Sequence, residues 1–201
     1  MRLKSSLIII FIISINCTLK SQQFNGGIFA GVSATQITGD QLSGFNKAGL
    51  YLGGYVNYYF KKRVSIQMEI DYIQKGSRKN SDPDNFDFES YKLNLQYIDI
   101  PIILKYDYSS KLIFETGPYL GFLMNVSQKD HNGEIPIINE FHKNDYGILL
   151  GLNYQLNDQL KMNFRYSNSL FPVREHSSGA TYRLNKGQYN MVVTLSLHYQ
   201  F

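Results

Sequence analysis

Apolar and polar residues alternate with a period of two along most of this 201-residue chain. The alternation is cleanest in residues 64–72, 146–154, 160–166 and 189–201. A period of two places successive side chains on opposite faces, so each segment predicts a β-strand with one apolar and one mixed face. No comparable helical stripe follows residue 21, and we therefore predict an all-β fold.

Four further segments predict strands with a less regular phase. They are residues 26–38, 49–60, 93–106 and 112–124, which brings the predicted total to eight strands. In residues 93–106 the apolar positions are odd-numbered up to Tyr97 and even-numbered from Ile100 onward. One inserted residue would produce such a switch of phase, so we predict a β-bulge near Ile98 and Asp99.

The connections between the predicted strands alternate in length. Residues 61–63, 107–111 and 157–159 are short, whereas residues 39–47, 80–90, 130–143 and 167–187 are long and rich in Asn, Asp, Ser, Gly and Lys. Short turns at one end and long loops at the other are typical of outer-membrane barrels. We therefore predict an eight-stranded antiparallel up-and-down transmembrane β-barrel with both termini at the periplasmic end.

A soluble lipocalin-like barrel would also alternate, but its apolar face would point inward and its outer face would carry charges. The apolar faces of the four cleanest strands carry no charge. Aromatic residues end these faces, as the girdles of a membrane barrel do, and the set comprises Tyr146, Tyr154, Tyr189 and Tyr199. The membrane barrel is the favoured interpretation, with membrane lipid as the partner of its outer face.

The last strand ends on Phe201, with Leu197 and Tyr199 on the same face. We interpret this terminal aromatic pattern as the signal for the outer-membrane insertion machinery, which is the expected partner during assembly.

Residues 1–21 have the pattern of a secretory signal peptide, because Arg2 and Lys4 precede an apolar run that is too short to span a bilayer as a helix. Cleavage after Ser21 would leave residues 22–201 as the barrel domain. Lipoprotein processing at Cys17 is the alternative, and the bulky Asn16 before that cysteine disfavours it.

Removal of this segment takes away three basic residues and the only cysteine. The formal charge falls from +4 to +1, since 17 of the 20 basic residues then face 16 acidic ones. Nucleic-acid binding thereby loses its compositional support. The mature domain is also left without thiol or disulfide chemistry.

Several charged residues occupy the alternate positions of the predicted strands that point into the barrel rather than toward lipid. An eight-stranded barrel is just wide enough inside for its own side chains, so we predict a closed lumen in which opposite charges pair. A turn that is symmetric about Ser110 would place Lys105 opposite Glu115. The predicted lumen charge network comprises Glu69, Asp71, Asp99, Lys105, Glu115, Lys161 and Arg165.

Candidate chemistry outside this network is sparse. Ser196 and His198 point the same way on the last strand, as in barrel-type lipid A deacylases, but those enzymes use a lipid-facing pair and these residues have lumen parity. The loop histidines lack metal-ligand spacing, and the acidic loop lacks a calcium-binding pattern; these residues are His131, His142, His176, Asp82, Asp84, Asp87 and Glu89. We predict no enzyme activity, no metal and no cofactor.

Two segments carry a resemblance to a known family. Residues 97–106, YIDIPIILKY, resemble the YLEIPLLLKY strand of PorT-like outer-membrane β-barrel proteins, with Asp99 where the family usually has Glu. Residues 117–121, GPYLG, resemble the strand that follows in that family. The resemblance implies a small outer-membrane barrel of eight strands, most of whose relatives have no assigned activity.

Three hypotheses for function follow. The first is a structural or binding barrel whose long loops contact an unknown extracellular partner. The second is an accessory component of a protein secretion apparatus, which would have a periplasmic protein partner. The third is an outer-membrane lipid-modifying enzyme, which is disfavoured because no lipid-facing polar pair is found near the outer rim. The first hypothesis is the favoured one.

Overall fold

The computed structural model describes residues 24–40, 42, 44–176 and 186–201. The predicted signal peptide, including Cys17, lies outside the described residues, as does part of the last long loop. None of the helices in the described part of the chain is both long and apolar enough to cross a membrane.

The described chain consists almost entirely of strands. They are β1 (Phe24–Thr38), β2 (Lys47–Lys61), β3 (Val64–Lys79), β4 (Tyr91–Asp107), β5 (Leu112–Asp130), β6 (Gly133–Glu134), β7 (Asn144–Gln155), β8 (Leu160–Ser169) and β9 (Tyr189–Gln200). A single 3₁₀ turn, Pro83–Asn85, lies between β3 and β4 in this part of the chain. β6 has only two residues and extends the hairpin that begins at the end of β5.

The eight long strands form a closed antiparallel barrel. Each long strand pairs with the next one along the chain, and β9 pairs with β1 to close the ring. This order confirms the predicted eight-stranded up-and-down β-barrel. β3 and β8 are four places apart in the ring, so they face each other across the full width of the lumen.

Side chains alternate between the two faces of the barrel wall as the period of two predicts. Ile66, Met68 and Ile70 on β3 are exposed on the outer face, whereas Gln67 and Glu69 between them are buried inside. An apolar outer face with a polar interior is the arrangement that a hydrocarbon environment stabilises. The wall is therefore built for lipid outside and for polar contacts inside.

The predicted β-bulge near Ile98 and Asp99 is wrong. Odd-numbered residues of β4 from Leu93 to Lys105 all point inward without interruption. The register with β5 shifts instead between Gln96 and Tyr97, where β5 contributes one extra residue, Met124.

The switch of phase in β4 has another cause. Toward the long loops the inward face of β4 becomes apolar and its outer face becomes polar, as in a soluble barrel, with Lys92, Asn94 and Gln96 on the outside. Leu93, Leu95 and Tyr97 are fully buried there. The apolar positions of β4 thus change from odd to even numbers because the wall leaves the hydrocarbon at this point, and not because a residue is inserted.

A hydrophobic cluster lines the interior from the long-loop end, where Leu93, Leu95 and Val173 lie, toward the short-turn end, where Phe29 is the register partner of His198. It includes residues from strands and from two long loops, so the loops are packed onto the barrel; the cluster comprises Phe29, Ile37, Tyr51, Tyr55, Ile73, Leu93, Leu95, Tyr97, Phe141, Val173 and Val192. Leu123 and Val126 of β5 both pack against it. Their odd spacing is possible because the bulge at Met124 reverses the parity of β5 between them.

Candidate functional site: a charged lumen and ordered loops

The guanidinium of Arg165 is the centre of the lumen charge network. Nη1 and Nη2 donate to the two carboxylate oxygens of Glu69 at 2.8 and 3.1 Å, and Nε donates to Glu115 at 2.8 Å. Nη1 also donates to the hydroxyl oxygen of Tyr51 at 2.7 Å. Because Arg165 lies on β8 and Glu69 on β3, this ion pair connects opposite walls of the barrel. All four side chains are buried.

Glu115 on β5 is the most shared acceptor of the network. Asn153 and Asn163 each donate to it at 2.7 Å, and the Lys105 ammonium lies 3.3 Å from it. Lys105 is the register partner of Glu115 across β4 and β5, which is the opposition that the turn geometry predicts. A Cβ on Gly151 would lie 2.6 Å from the Glu115 carboxylate and 2.9 Å from the Phe164 carbonyl oxygen, so the glycine leaves room for both.

A second cluster of charges lies closer to the long loops. The buried Lys75 ammonium lies 2.8 Å from Asp99 and 2.9 Å from Asp145. It also lies over the rings of Tyr97 and Tyr119, 4.6 Å from each centroid, which adds cation–π attraction. Asp145 accepts further hydrogen bonds from Ser169 and Asn190 at 2.7 and 2.9 Å.

Two members of the predicted network do not join these pairs. Asp71 points inward but forms no ion pair with any described residue, and one of its carboxylate oxygens has no hydrogen-bond partner. Its register partner across β3 and β4 is another carboxylate, Asp99. Lys161 is only half-buried and donates to Gln200 at 3.0 Å near the short-turn end.

The sequence reasoning missed Lys75 and Asp145, although a signal for each was present. The predicted third strand ended at Tyr72, whereas β3 continues to Lys79, and the same odd parity carried two steps further reaches Lys75. The predicted strand 146–154 likewise began two residues after the start of β7 at Asn144. Asp145 has the inward parity of Gly147 and Leu149 on β7.

Ser196 and His198 are hydrogen-bonded to each other at 3.0 Å inside the barrel. Each is only 1% exposed, and the ring of Phe29 stacks on the imidazole at 4.5 Å between centroids. The pair has the lumen orientation that its parity predicts. Both side chains are therefore buried on the side of the wall away from lipid.

Aromatic side chains lie at both ends of the outer face. Tyr154, Tyr199 and Phe201 are exposed at the short-turn end, with Tyr199 and Phe201 in edge contact at 6.0 Å. Tyr146 is exposed at the long-loop end, and Tyr189 is half-buried there. Girdles of this kind mark the two membrane interfaces of outer-membrane barrels, and the assignment of these residues to such girdles stays a prediction.

The loop between β3 and β4 is an ordered hairpin. Asp82 and Asp87 form an antiparallel bridge, and Lys79 donates to the Asp87 carboxylate at 3.1 Å. This hydrogen bond lowers the pKa of the Asp87 carboxyl below its ordinary value. The turn holds Phe86 in a left-handed conformation, with φ 57°, and leaves the residue 87% exposed.

The two longest loops pack against each other at the same end. The His142 amide donates to the Val173 carbonyl at 2.8 Å, and the guanidinium of Arg174 lies 4.2 Å from the ring centroid of Phe141. Phe141 and Val173 are buried in the apolar core, which holds the described part of each loop against the barrel. Ile138, by contrast, is 90% exposed.

The candidate metal-binding side chains of the loops do not converge. Among the residues that the structure describes, no group of three or more His, Cys, Asp or Glu side chains is placed to hold a metal ion. Asp82 accepts from Asn85 at 2.7 Å, and His131 is hydrogen-bonded to Asn132 at 2.9 Å.

Comparison with solved structures shows the same fold. Neisserial surface protein A superposes with a TM-score of 0.57 at 12% identity, over 88% of this chain and 97% of that chain. Ail of Yersinia pestis, in a phospholipid bilayer nanodisc, superposes with a TM-score of 0.51 at 12% identity, over 88% and 99%. At such identities the likeness concerns the fold alone.

The sequence itself matches a family. The profile described as "outer membrane protein beta-barrel domain" matches residues 20–175, which is more than half of the chain. None of the curated proteins matches it at the sequence level. The closed barrel, its apolar outer face and this match agree, and the chain belongs to the outer membrane protein beta-barrel domain family, as an outer-membrane protein.

Proposed function

We propose that this protein is a closed, non-conducting outer-membrane barrel that acts through its extracellular loops. The ion pair between Arg165 and Glu69 carries this proposal, because it crosses the lumen from one wall to the opposite wall. The cavity beside it, between Tyr51, Asp71 and Arg165, holds about 20 Å³. That volume suits one water molecule and no solute.

The long loops supply a surface for a partner. Phe86 and Ile138 are large apolar side chains that point into solvent from loops held by backbone and side-chain contacts. Loops that are held on a rigid scaffold commonly form binding sites for partner molecules, because they lose little conformational entropy on binding. We propose an extracellular protein or cell-surface component as the partner.

We further propose that the barrel has no catalytic function. The hydrogen-bonded Ser196 and His198 supply the side chains of a nucleophile and its base, but both are enclosed in the lumen. A lipid-modifying enzyme needs its reactive hydroxyl at the lipid face or at an open cleft.

The strand with Pro101 favours a relationship to PorT-like barrels within this family. The resemblance does not itself imply a secretion role, and an accessory role in a secretion apparatus is the second candidate. That role requires a periplasmic protein partner, which would contact the short turns rather than the long loops.

Cross-linking of the full-length protein in intact cells tests the two roles. Lys129 and Lys143 are exposed at the long-loop end, and Lys62 and Lys111 are exposed in the short turns. We expect a membrane-impermeant amine-reactive cross-linker to reach the first two from outside, and the last two only after the outer membrane is permeabilised. We expect partner cross-links through Lys129 or Lys143 in intact cells. Arginine at both loop positions keeps the charge, removes the reactive amine and serves as the control. Partner cross-links that form only through Lys62 or Lys111 would instead support the secretion role.

A further inference from the structure

A groove lies on the outer side of the barrel where β7 begins. It has a volume of about 550 Å³ and is lined by His142, Lys143, Asn144, Tyr146, Phe171 and Pro172. The first four residues lead into and begin β7, and the last two belong to the loop after β8. The groove is therefore placed at the outer membrane interface rather than in the lumen.

Backbone hydrogen bonds build the groove. The amide of Leu170 donates to the carbonyl of Tyr146 at 2.8 Å, and the amide of His142 donates to the carbonyl of Val173 at 2.8 Å. The imidazole Nδ1 of His142 lies 3.0 Å from the Pro172 carbonyl oxygen. These contacts extend the pairing of β7 and β8 beyond the membrane band, so the two walls of the groove are fixed relative to each other.

The lower part of the groove is apolar. The rings of Tyr146 and Phe171 meet edge to face, 6.1 Å apart, and both are exposed. Ile148 and Leu150 follow Tyr146 on the outer face of β7 in the direction of the short turns, and both are also exposed. The groove therefore opens directly onto the surface that faces the acyl chains.

The upper part of the groove carries donors. The Lys143 side chain is exposed, and no carboxylate of the described residues lies within 4.0 Å of its ammonium. The residues that line the groove include no acidic side chain. The Asn144 amide lies beside it and reaches the Tyr146 hydroxyl at 3.4 Å. An ammonium and an amide above an apolar floor complement an anionic headgroup that is joined to an acyl chain.

We propose that this groove binds a phosphorylated lipid of the outer leaflet. The phosphate contacts the Lys143 ammonium and the Asn144 amide, and the acyl chain lies against Tyr146 and Phe171. Lysine is a common ligand of phosphate as a compact point charge, and aromatic rings at a membrane interface combine an apolar face with a polar edge. This site excludes Phe86 and Ile138 of the loop surface described above, although Lys143 is common to the groove and to the long-loop end, and it does not depend on any protein partner.

Lipid titration of the purified full-length protein tests the proposal. Native mass spectrometry in detergent, with dioleoyl phosphatidic acid as the probe, counts the bound lipids and gives their dissociation constants. Lys143→Gln removes one charge-assisted contact and is therefore expected to raise the dissociation constant of the tightest lipid site about tenfold. Lys92→Gln is the matched control, because Lys92 is exposed at the same end of the barrel but lies outside the groove. We expect Lys92→Gln to leave the affinity unchanged.

Further titrations test whether binding requires both the charged headgroup and the acyl chain. Phosphatidylcholine, which has no net charge, and inorganic phosphate, which has no acyl chain, are both expected to bind more weakly than phosphatidic acid. Phe171→Ala is expected to weaken phosphatidic acid binding and to leave inorganic phosphate binding unchanged. Equal effects of Lys143→Gln and Lys92→Gln, or inorganic phosphate that displaces the lipid at equal concentration, would overturn the proposal. Thermal unfolding of each variant in detergent confirms that the barrel is folded.

Discussion

Arg165 on β8 and Glu69 on β3 are joined by two hydrogen bonds, of 2.8 and 3.1 Å, across the full width of the barrel. Both side chains are buried, and Arg165 also binds Glu115 on β5. A guanidinium presents its donors in a planar fork, so one residue can pair with two carboxylates from different walls. This arrangement makes the lumen a polar core rather than a passage.

Arg165→Met is expected to destabilise the folded barrel by about 3–5 kcal/mol, because the carboxylate of Glu69 is then left buried without a counter-ion. The double variant Arg165→Met with Glu69→Leu is expected to recover part of that loss. Glu115 remains satisfied in both variants by Lys105, Asn153 and Asn163. Urea unfolding in phospholipid vesicles measures the free energies, and equal losses in the two variants would contradict the pairing.

Glu115→Leu is expected to destabilise the barrel more than Lys105→Met. Glu115 balances two cations, Arg165 and Lys105. Removal of Lys105 leaves the Glu115 carboxylate with Arg165 and two asparagines as partners. For the same reason, combining the two changes should not rescue Lys105→Met, although the sequence alone had suggested a simple pair. The same unfolding measurement gives the ranking. A double variant more stable than Lys105→Met would show that Glu115 acts mainly through Lys105.

Asp71→Asn is expected to leave the stability unchanged or to raise it. Asp71 is buried opposite Asp99, with no cation paired to it among the described residues. The isosteric amide removes the repulsion between two carboxylates and keeps the shape of the side chain. Glu69→Gln is the control that should destabilise the barrel, since it weakens the contact to Arg165. A loss as large for Asp71→Asn as for Glu69→Gln would reveal a counter-ion for Asp71.

Phe201→Asp is expected to reduce insertion into the outer membrane far more than Gln200→Asn. Phe201 is exposed and contacts Tyr199 on the outer face, whereas Gln200 points inward and accepts a hydrogen bond from Lys161. A charge on the lipid side of the last strand disturbs both the partition into lipid and the terminal aromatic pattern. The heat-modifiable folded fraction in outer-membrane preparations measures insertion. Equal fractions for the two variants would contradict this role of Phe201.

Residue parity predicts the barrel well because each wall residue faces either lipid or the lumen. It places Lys105 opposite Glu115, which are 3.3 Å apart, without knowledge of any distant strand. It fails in β4, where Leu93 and Leu95 point inward and apolar residues change faces at the edge of the hydrocarbon. Local alternation carries no information about membrane depth.

The individual partners in the lumen are harder to predict than the strands. The contact between Arg165 and Glu69 depends on which strands lie opposite each other, and this follows only from ring closure. Lys75 and Asp145 lay just beyond the predicted strand ends, since the strands continue above the membrane band. Lys161 has the correct parity but lies too near the short-turn end to reach the network.

Single-channel recording from the purified full-length protein in planar lipid bilayers tests the closed lumen most directly. The wild-type protein is expected to give no steady conductance, because the contacts of Arg165 with Glu69 and Glu115 block the lumen. A triple alanine variant at these three positions is the positive control and should raise the frequency of conducting events if it inserts. Steady, reproducible conductance steps from the wild-type protein would contradict the account.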